Sequence, residues 1–143
     1  TAITGSENKV EEARSYGAHN VVVASDIDAI KKLKKSFDYL FFTGHAFKGK
    51  WGLFMNTLKP KGRLHFLGLL PEPLNITMFH MLRGQNSVSA SPVGGPEAMK
   101  KMVEFCARHK IIPEVEFFKM SEINEAIAHL KSGKARYRIV LEN

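Results

Sequence analysis

The residues with the strongest chemical potential stand at the start of the chain, in Thr4-Gly5-Ser6-Glu7-Asn8-Lys9. Residues 1–4 read as a short strand, Ser6 carries a hydroxyl able to cap the helix that follows, and Lys9 falls on that helix's first turn. Hydroxyls, backbone N–H groups and one ammonium at a strand end suit an isolated phosphate. In a dinucleotide-binding sheet the second strand normally ends on an Asp or Glu that grips the ribose 2′-hydroxyl of NAD. Neutral residues plus a cation in that place favour the 2′-phosphate of NADP. On this reading the chain begins on a strand that should follow a phosphate-binding loop. Ser-x-x-Lys is equally the pattern of an ordinary capped surface helix, and Glu7, an acid beside the proposed phosphate, fits only with its carboxylate turned to solvent.

Three more places put small or hydroxylated residues at expected strand ends, where open α/β sheets hold their ligands. They are Thr43-Gly44, Leu67-Gly68 and Ser89-Ala90-Ser91. His45, next to Gly44, reads as a loop histidine. His65 and His80 have no second ligand at helical spacing, and Cys106, between Phe105 and Ala107, reads as a small core residue. Arg136 and Arg138 flank Tyr137 on an expected strand and so share a face, where a phosphate contact stays open.

The elements that must position these residues alternate. A polar helix over residues 6–16 stops at Gly17, and a β-branched strand follows over 19–24. Ser25 and Asp28 have the spacing of a capping box that opens a lysine-rich helix reaching about residue 35. Strands are expected over 37–43, 63–67 and 87–90, and helices over 50–58 and 76–82. Lys59-Pro60-Lys61-Gly62 reads as the turn into the strand at 63. Strands apolar on both faces, alternating with helices, predict an α/β domain with a doubly wound parallel sheet. Beyond it come an amphipathic helix over 96–110, a strand over 113–118, a helix over 121–132 and a strand over 137–141.

Composition narrows the classes. A 143-residue chain that is 44% hydrophobic and 24% charged has the balance of a folded domain. One cysteine allows no internal disulfide and no cysteine-rich metal site, and fits a reducing, cytoplasmic compartment. The apolar runs are too short to span a bilayer, and the first residues lack the order of a signal peptide, so no membrane partner is expected. The net charge of +7 is spread over several segments without a nucleic-acid-binding module, which argues against a nucleic-acid partner. A basic surface also suits a cofactor that carries several phosphates.

Four marks now stand in order: Thr4-Gly5-Ser6-x-x-Lys9, Leu67-Gly68, Ser89-Ala90-Ser91-x-x-Gly94-Gly95, and Ser132-Gly133-Lys134-Ala135-Arg136-Tyr137-Arg138. The chain resembles the C-terminal part of the zinc-dependent medium-chain alcohol dehydrogenases, in their NADP-dependent cinnamyl alcohol dehydrogenase-like branch. The likeness covers essentially the whole chain. Its most specific parts are Ser6-Glu7-Asn8-Lys9-x-Glu11-Glu12-Ala13-x-x-x-Gly17-Ala18 and the Gly133–Arg138 stretch.

The resemblance implies an oxidoreductase that moves a hydride between NADP(H) and a small primary alcohol or aldehyde. It places Ser6 and Lys9 at the 2′-phosphate, with Thr4 and Gly5 lining the same turn, and Thr43 and Gly44 near the cofactor. Leu67 and Gly68 would flank the nicotinamide, unless that glycine serves only the turn toward Pro71. Ser89, Ala90 and Ser91 would meet the carboxamide through backbone groups. No catalytic residue and no metal ligand is carried over to this chain. The zinc would be bound by an N-terminal domain that the chain lacks, together with the first strand and the glycine-rich turn of the Rossmann sheet.

The implied domains are an incomplete Rossmann domain over residues 1–95, a connecting helix over 96–113 and, over 114–143, the last segment of the catalytic domain. The likeness also implies a homodimer joined through the strand at 87–90. A fragment of such a dehydrogenase would be inactive alone. The alternative is a stand-alone α/β nucleotide-binding or interaction module without catalysis.

Overall fold

The computed structural model describes residues 1–44 and 49–143; His45 lies outside the described residues. The chain divides into two compact units, Thr1–Val93 and Gly94–Asn143.

In the first unit strands and helices alternate, as the apolar pattern predicts. The strands are β1 (Ala2–Thr4), β2 (Val21–Val23), β3 (Phe37–Phe42), β4 (Leu58–Phe66) and β5 (Ser87–Ala90). Between them run a 3₁₀ turn (Glu7–Lys9) with α1 (Val10–Ser15), then α2 (Ile27–Lys32), α3 (Trp51–Met55) and α4 (Met78–Leu82). Every strand pairing is parallel: β1 with β2, β3 with β4, and β4 with β5. This is the parallel α/β architecture expected from the sequence, in two ribbons, β1-β2 and β3-β4-β5.

The core forms where α3 and α4 fold back on the three-stranded ribbon. Trp51, Met55, Leu58, Leu64 and Phe66 are buried together, with Phe42, Met81 and Val88 packed against them. Trp51, the chain's single tryptophan, stands edge-on to both Phe42 and Phe66, each at 5.2 Å between ring centres. Such aromatic pairs add about 0.5–1.5 kcal/mol to the burial of their area. On β3, Leu40 and Phe42 pack on this core. Tyr39 and Phe41 alternate to the other face, stacked on each other at 6.1 Å and about 60% exposed.

Three local expectations are corrected. Ser6 occupies the cap position, but its hydroxyl donates to Asn8 Oδ1 at 2.6 Å and caps no backbone N–H. Asp26, not Ser25, caps α2, its carboxylate accepting from the Ala29 N–H at 2.9 Å. Lys59–Gly62 does not separate a turn from a strand. It is a bulge inside β4, where the partners of Phe37 and Tyr39 jump from Leu58 to Arg63. The bulge is pinned by Lys61 N–H donating to the Gly84 carbonyl at 2.7 Å and by the Asn86 amide donating to the Lys59 and Gly62 carbonyls at 2.7 and 3.2 Å.

The second unit holds α5 (Pro96–His109), β6 (Val115–Lys119), a 3₁₀ turn (Met120–Glu122), α6 (Ile123–Lys131) and β7 (Arg138–Glu142). Proline at its first turn starts α5, and Lys110 ends it in the left-handed conformation. Cys106, on α5, is half-buried rather than a core residue. β6 and β7 pair in parallel through the crossover helix α6. Arg136 precedes β7, so it does not share a strand face with Arg138. Its backbone N–H instead donates to the Glu116 carboxylate, whose other oxygen meets His129 Nε2 at 2.7 Å.

Among the described residues no helix is long and apolar enough to cross a membrane.

Candidate functional site

The sheet order decides where a ligand can sit. From β1 the chain steps outward to β2, and from β3 it steps outward in the opposite sense through β4 to β5. β1 and β3 face each other across a cleft, since both line the same two cavities. One, of about 370 Å³, joins Thr1 and Ala2 to Phe37 and Tyr39. The other, of about 360 Å³, joins Gly5 and Lys9 to Thr43 and Gly44. Start faces start and end faces end, so β1 and β3 run in the same direction. The winding therefore reverses at this cleft, and the crevice beyond the strand ends at such a reversal is where open α/β sheets bind ligands.

The sequence-predicted residues fall at the C-terminal strand ends. Thr4 closes β1, and its hydroxyl donates to the Ser6 carbonyl at 3.1 Å. With the Ser6–Asn8 bond this shapes a turn whose hydroxyls are already engaged. Lys9 lies on the following 3₁₀ turn, exposed and without an ion-pair partner among the described residues. Space above Gly5 is open: a side-chain carbon built there would meet nothing within 4 Å.

Thr43 and Gly44 follow β3, and Leu67 and Gly68 follow β4. The N–H groups of Leu67 and Gly68 both donate to the Phe42 carbonyl, at 2.8 and 3.3 Å. This draws the two strand ends so close that a Cβ at Gly68 would stand 2.1 Å from the Gly44 carbonyl oxygen. The glycine thus permits backbone contact with another strand end, a need that does not depend on Pro71.

At β5, Ser89 Oγ lies 2.8 Å from His65 Nδ1, so that hydroxyl is committed within the sheet. Ser91 N–H donates to the Phe66 carbonyl at 3.1 Å, and Ala90 is exposed. One cleft therefore gathers Gly5, Lys9, Thr43 and Gly44, while Thr4 and Ser6 shape its edge. Leu67 and Gly68 adjoin it through Gly44; Ser89, Ala90 and Ser91 end the next strand of the ribbon.

Sequence reasoning missed Ala24, Trp51 and Phe54, which also line this cleft. Ala24 carried a usable signal, a small residue closing the strand next to β1. The two aromatic residues carried none beyond ordinary core character.

The other histidines have local work. His80 Nδ1 accepts from the Thr77 N–H at 3.1 Å and closes the start of α4. His129 is held by Glu116, whose carboxyl lies below the usual carboxylate range chiefly because it accepts the Arg136 backbone N–H, with His129 adding to the effect. Among the described residues no three His, Cys, Asp or Glu side chains gather as a metal site.

Comparison with known proteins gives a consistent picture. A family profile described as "Zinc-binding dehydrogenase" matches residues 1–108. The chain is 46% identical to the aldehyde reductase AdhA of a Synechocystis species, over 100% of this chain and 42% of that protein. It is 36% identical to cinnamyl alcohol dehydrogenase 3 of Arabidopsis thaliana, over 99% of this chain and 38% of that protein. The chain thus spans about two fifths of the length of these curated relatives. Among solved structures, a cinnamyl alcohol dehydrogenase of Sorghum bicolor superposes with a TM-score of 0.89 at 26% identity, over 97% of this chain and 39% of that one. A Helicobacter pylori relative described as complexed with NADP(H) superposes at 0.75, also with 26% identity, over 97% and 39%.

Proposed function

The chain belongs to the zinc-binding dehydrogenase family, and we propose that it is the C-terminal, cofactor-binding portion of an enzyme that moves a hydride between NADP(H) and a small primary alcohol or aldehyde. The observation that carries this reading is the cleft where the winding reverses, with Gly5 and Lys9 on one wall and Thr43 and Gly44 on the other. Named relatives support it from a second side, through an aldehyde reductase, a cinnamyl alcohol dehydrogenase and a neighbour solved with NADP(H).

The residues fit NADP on their own chemistry. No carboxylate ends β1; Thr4, Gly5 and Ser6 form its turn instead, and the Lys9 ammonium stands free of an acidic partner among the described residues. Lys9 would neutralise the 2′-phosphate as a point charge, and Gly5 would let the ribose approach the backbone. Thr43, Gly44, Leu67 and Gly68 would orient the nicotinamide half, with Ser89, Ala90 and Ser91 offering backbone groups to its carboxamide. The cofactor held by these residues would supply or accept the hydride, and a zinc, for which the described residues offer no ligand cluster, would polarise the substrate oxygen in the complete enzyme. On this reading residues 1–95 form the cofactor domain, 96–113 connect, and 114–143 belong to the catalytic domain. A homodimer through β5 completes the reading, since that strand pairs only with β4 among the described residues.

Calorimetric titration of the complete enzyme with NADPH and NADH tests the assignment. NADPH binds more tightly, and Lys9→Ala weakens it by about tenfold to a hundredfold, the range of a lost charged hydrogen bond, with little change for NADH. Equal affinities for the two cofactors would overturn the reading.

A further inference from the structure

The N-terminal end of the three-stranded ribbon, where β3 begins at Phe37 and β4 at Leu58, carries a feature that cofactor binding leaves unused. Three helices finish there: Lys34 and Lys35 follow α2, Asn56 closes α3 and Arg83 closes α4. These residues line two small cavities, of about 170 and 90 Å³, that share Lys34, Asn56 and Arg83 and so form one hollow. The length of β3, about 20 Å, separates this end of the strand from Thr43 and Gly44.

The charge of the hollow is one-sided. No described carboxylate lines it. Nearby, Asp28 is held by Lys31 at 2.9 Å and Asp38 by Lys59 at 2.7 Å, while Lys34, Lys35 and Arg83 have no ion-pair partner among the described residues. Cations at helix C-termini ordinarily serve the last carbonyls. Here the carbonyls of Lys31, Leu33, Phe54, Asn56, Met81 and Leu82 already accept backbone N–H groups at 3.0–3.4 Å, so that work is done without the side chains. The Arg83 guanidinium lies over the Phe79 ring at 5.6 Å, which steadies it and leaves its N–H fork open. Asn56 adds an exposed amide whose side chain makes no bond among the described residues.

We propose that this hollow binds a phosphoryl group of a small soluble polyphosphate. Three uncompensated cations gathered on a concave surface repel one another, and a multivalent anion among them relieves that repulsion. Arg83 suits two oxygens of one phosphoryl group, Lys34 and Lys35 meet it as point charges, and the Asn56 amide can donate to a further oxygen. A nucleic-acid strand fits less well, because the cations converge on one hollow instead of tracking a backbone. The site needs neither NADP nor Lys9, so it stands or falls apart from the cofactor assignment.

Calorimetric titration of the complete enzyme with inorganic pyrophosphate, at an ionic strength of about 0.15 M, tests the site. Saturable binding of one pyrophosphate per chain is expected. Lys34→Gln and Arg83→Lys should each weaken it by about tenfold or more, the second because an ammonium cannot replace the guanidinium fork. Lys32→Gln removes an equal charge from α2 outside the hollow and should change the affinity by less than about twofold. Lys9→Ala, in the cofactor cleft, should leave pyrophosphate binding unchanged, and unshifted melting temperatures show that the variants are folded. Absence of saturable binding would overturn the proposal. So would equal losses from Lys32→Gln and Lys34→Gln, which mark a diffuse field, or a loss from Lys9→Ala alone, which puts pyrophosphate in the cofactor cleft. Tighter capture of single-stranded RNA, abolished by Lys34→Gln and Arg83→Lys, would overturn it in favour of a nucleic-acid surface.

Discussion

Of the glycines compared among the described residues, Gly68 is the one where an added carbon would come nearest to another atom. Its ideal Cβ lies 2.1 Å from the Gly44 carbonyl oxygen, a backbone atom that cannot swing aside. Gly68→Ala should therefore cost about 1–3 kcal/mol, the range for forced overpacking, and should push the ends of β3 and β4 apart at the mouth of the cleft. Urea denaturation reads the first effect and NADPH titration of the complete enzyme the second; an unchanged midpoint would show that the strand ends are freer than described. Glu116 gives a pH prediction. Its carboxyl is held below the usual value of 4.5, first by the Arg136 backbone N–H and then by His129. The folded pKa being lower than the unfolded one, this stabilisation is present above the unfolded value and is lost as pH falls through the folded value. Glu116→Gln should make the melting temperature fall less steeply on acidification, as read by circular dichroism at stepped pH. At this scale the sequence was informative about residue type and poor about partners. A glycine closing a strand was legible at position 68, but that Gly44 stood against it was not, because the contact joins strands separated by a helix.

Among the elements, β5 was legible to the residue, since its four residues lie between a turn signal and a loop rich in small residues. The ends of α1 and α2 were not. Serine hydroxyls at both starts have local alternatives to capping, Ser6 with Asn8 being one, and which of them wins depends on the exact backbone. β4 is the instructive miss. Lysine, proline, lysine and glycine in succession spell a turn, yet the chain passes through them as a bulge because Gly84 and Asn86 satisfy the backbone groups that the ladder gives up. Asn86→Ala leaves the Lys59 carbonyl without that donor and should cost about 1–3 kcal/mol. The same substitution should raise exchange at Lys61 N–H, which Gly84 holds beside it. Unaltered exchange there would mean that the bulge is fixed by Lys61 and by the Lys59–Asp38 ion pair alone.

For the whole molecule the parallel α/β class followed from alternation of apolar runs, and the order of the motifs carried the family. The cleft's two walls were legible only as a consequence of that family's strand order, since no pattern in residues 1–44 states which edges face each other. If the chain is, as proposed, the cofactor-binding portion of a larger enzyme, the 143-residue chain should show no dehydrogenase activity with added zinc and NADPH while the complete enzyme reduces aldehydes. Measurable aldehyde reduction by the purified chain would refute this. The distribution of two rare side chains makes the two units separately observable. Trp51 is the chain's one indole and sits in the core of Thr1–Val93, while Cys106 is its one thiol and rides on α5 in Gly94–Asn143. Native fluorescence therefore reports melting of the first unit and a thiol-reactive dye reports exposure of the second, so one sample of unaltered protein can disclose whether the two lose structure in one transition or in sequence.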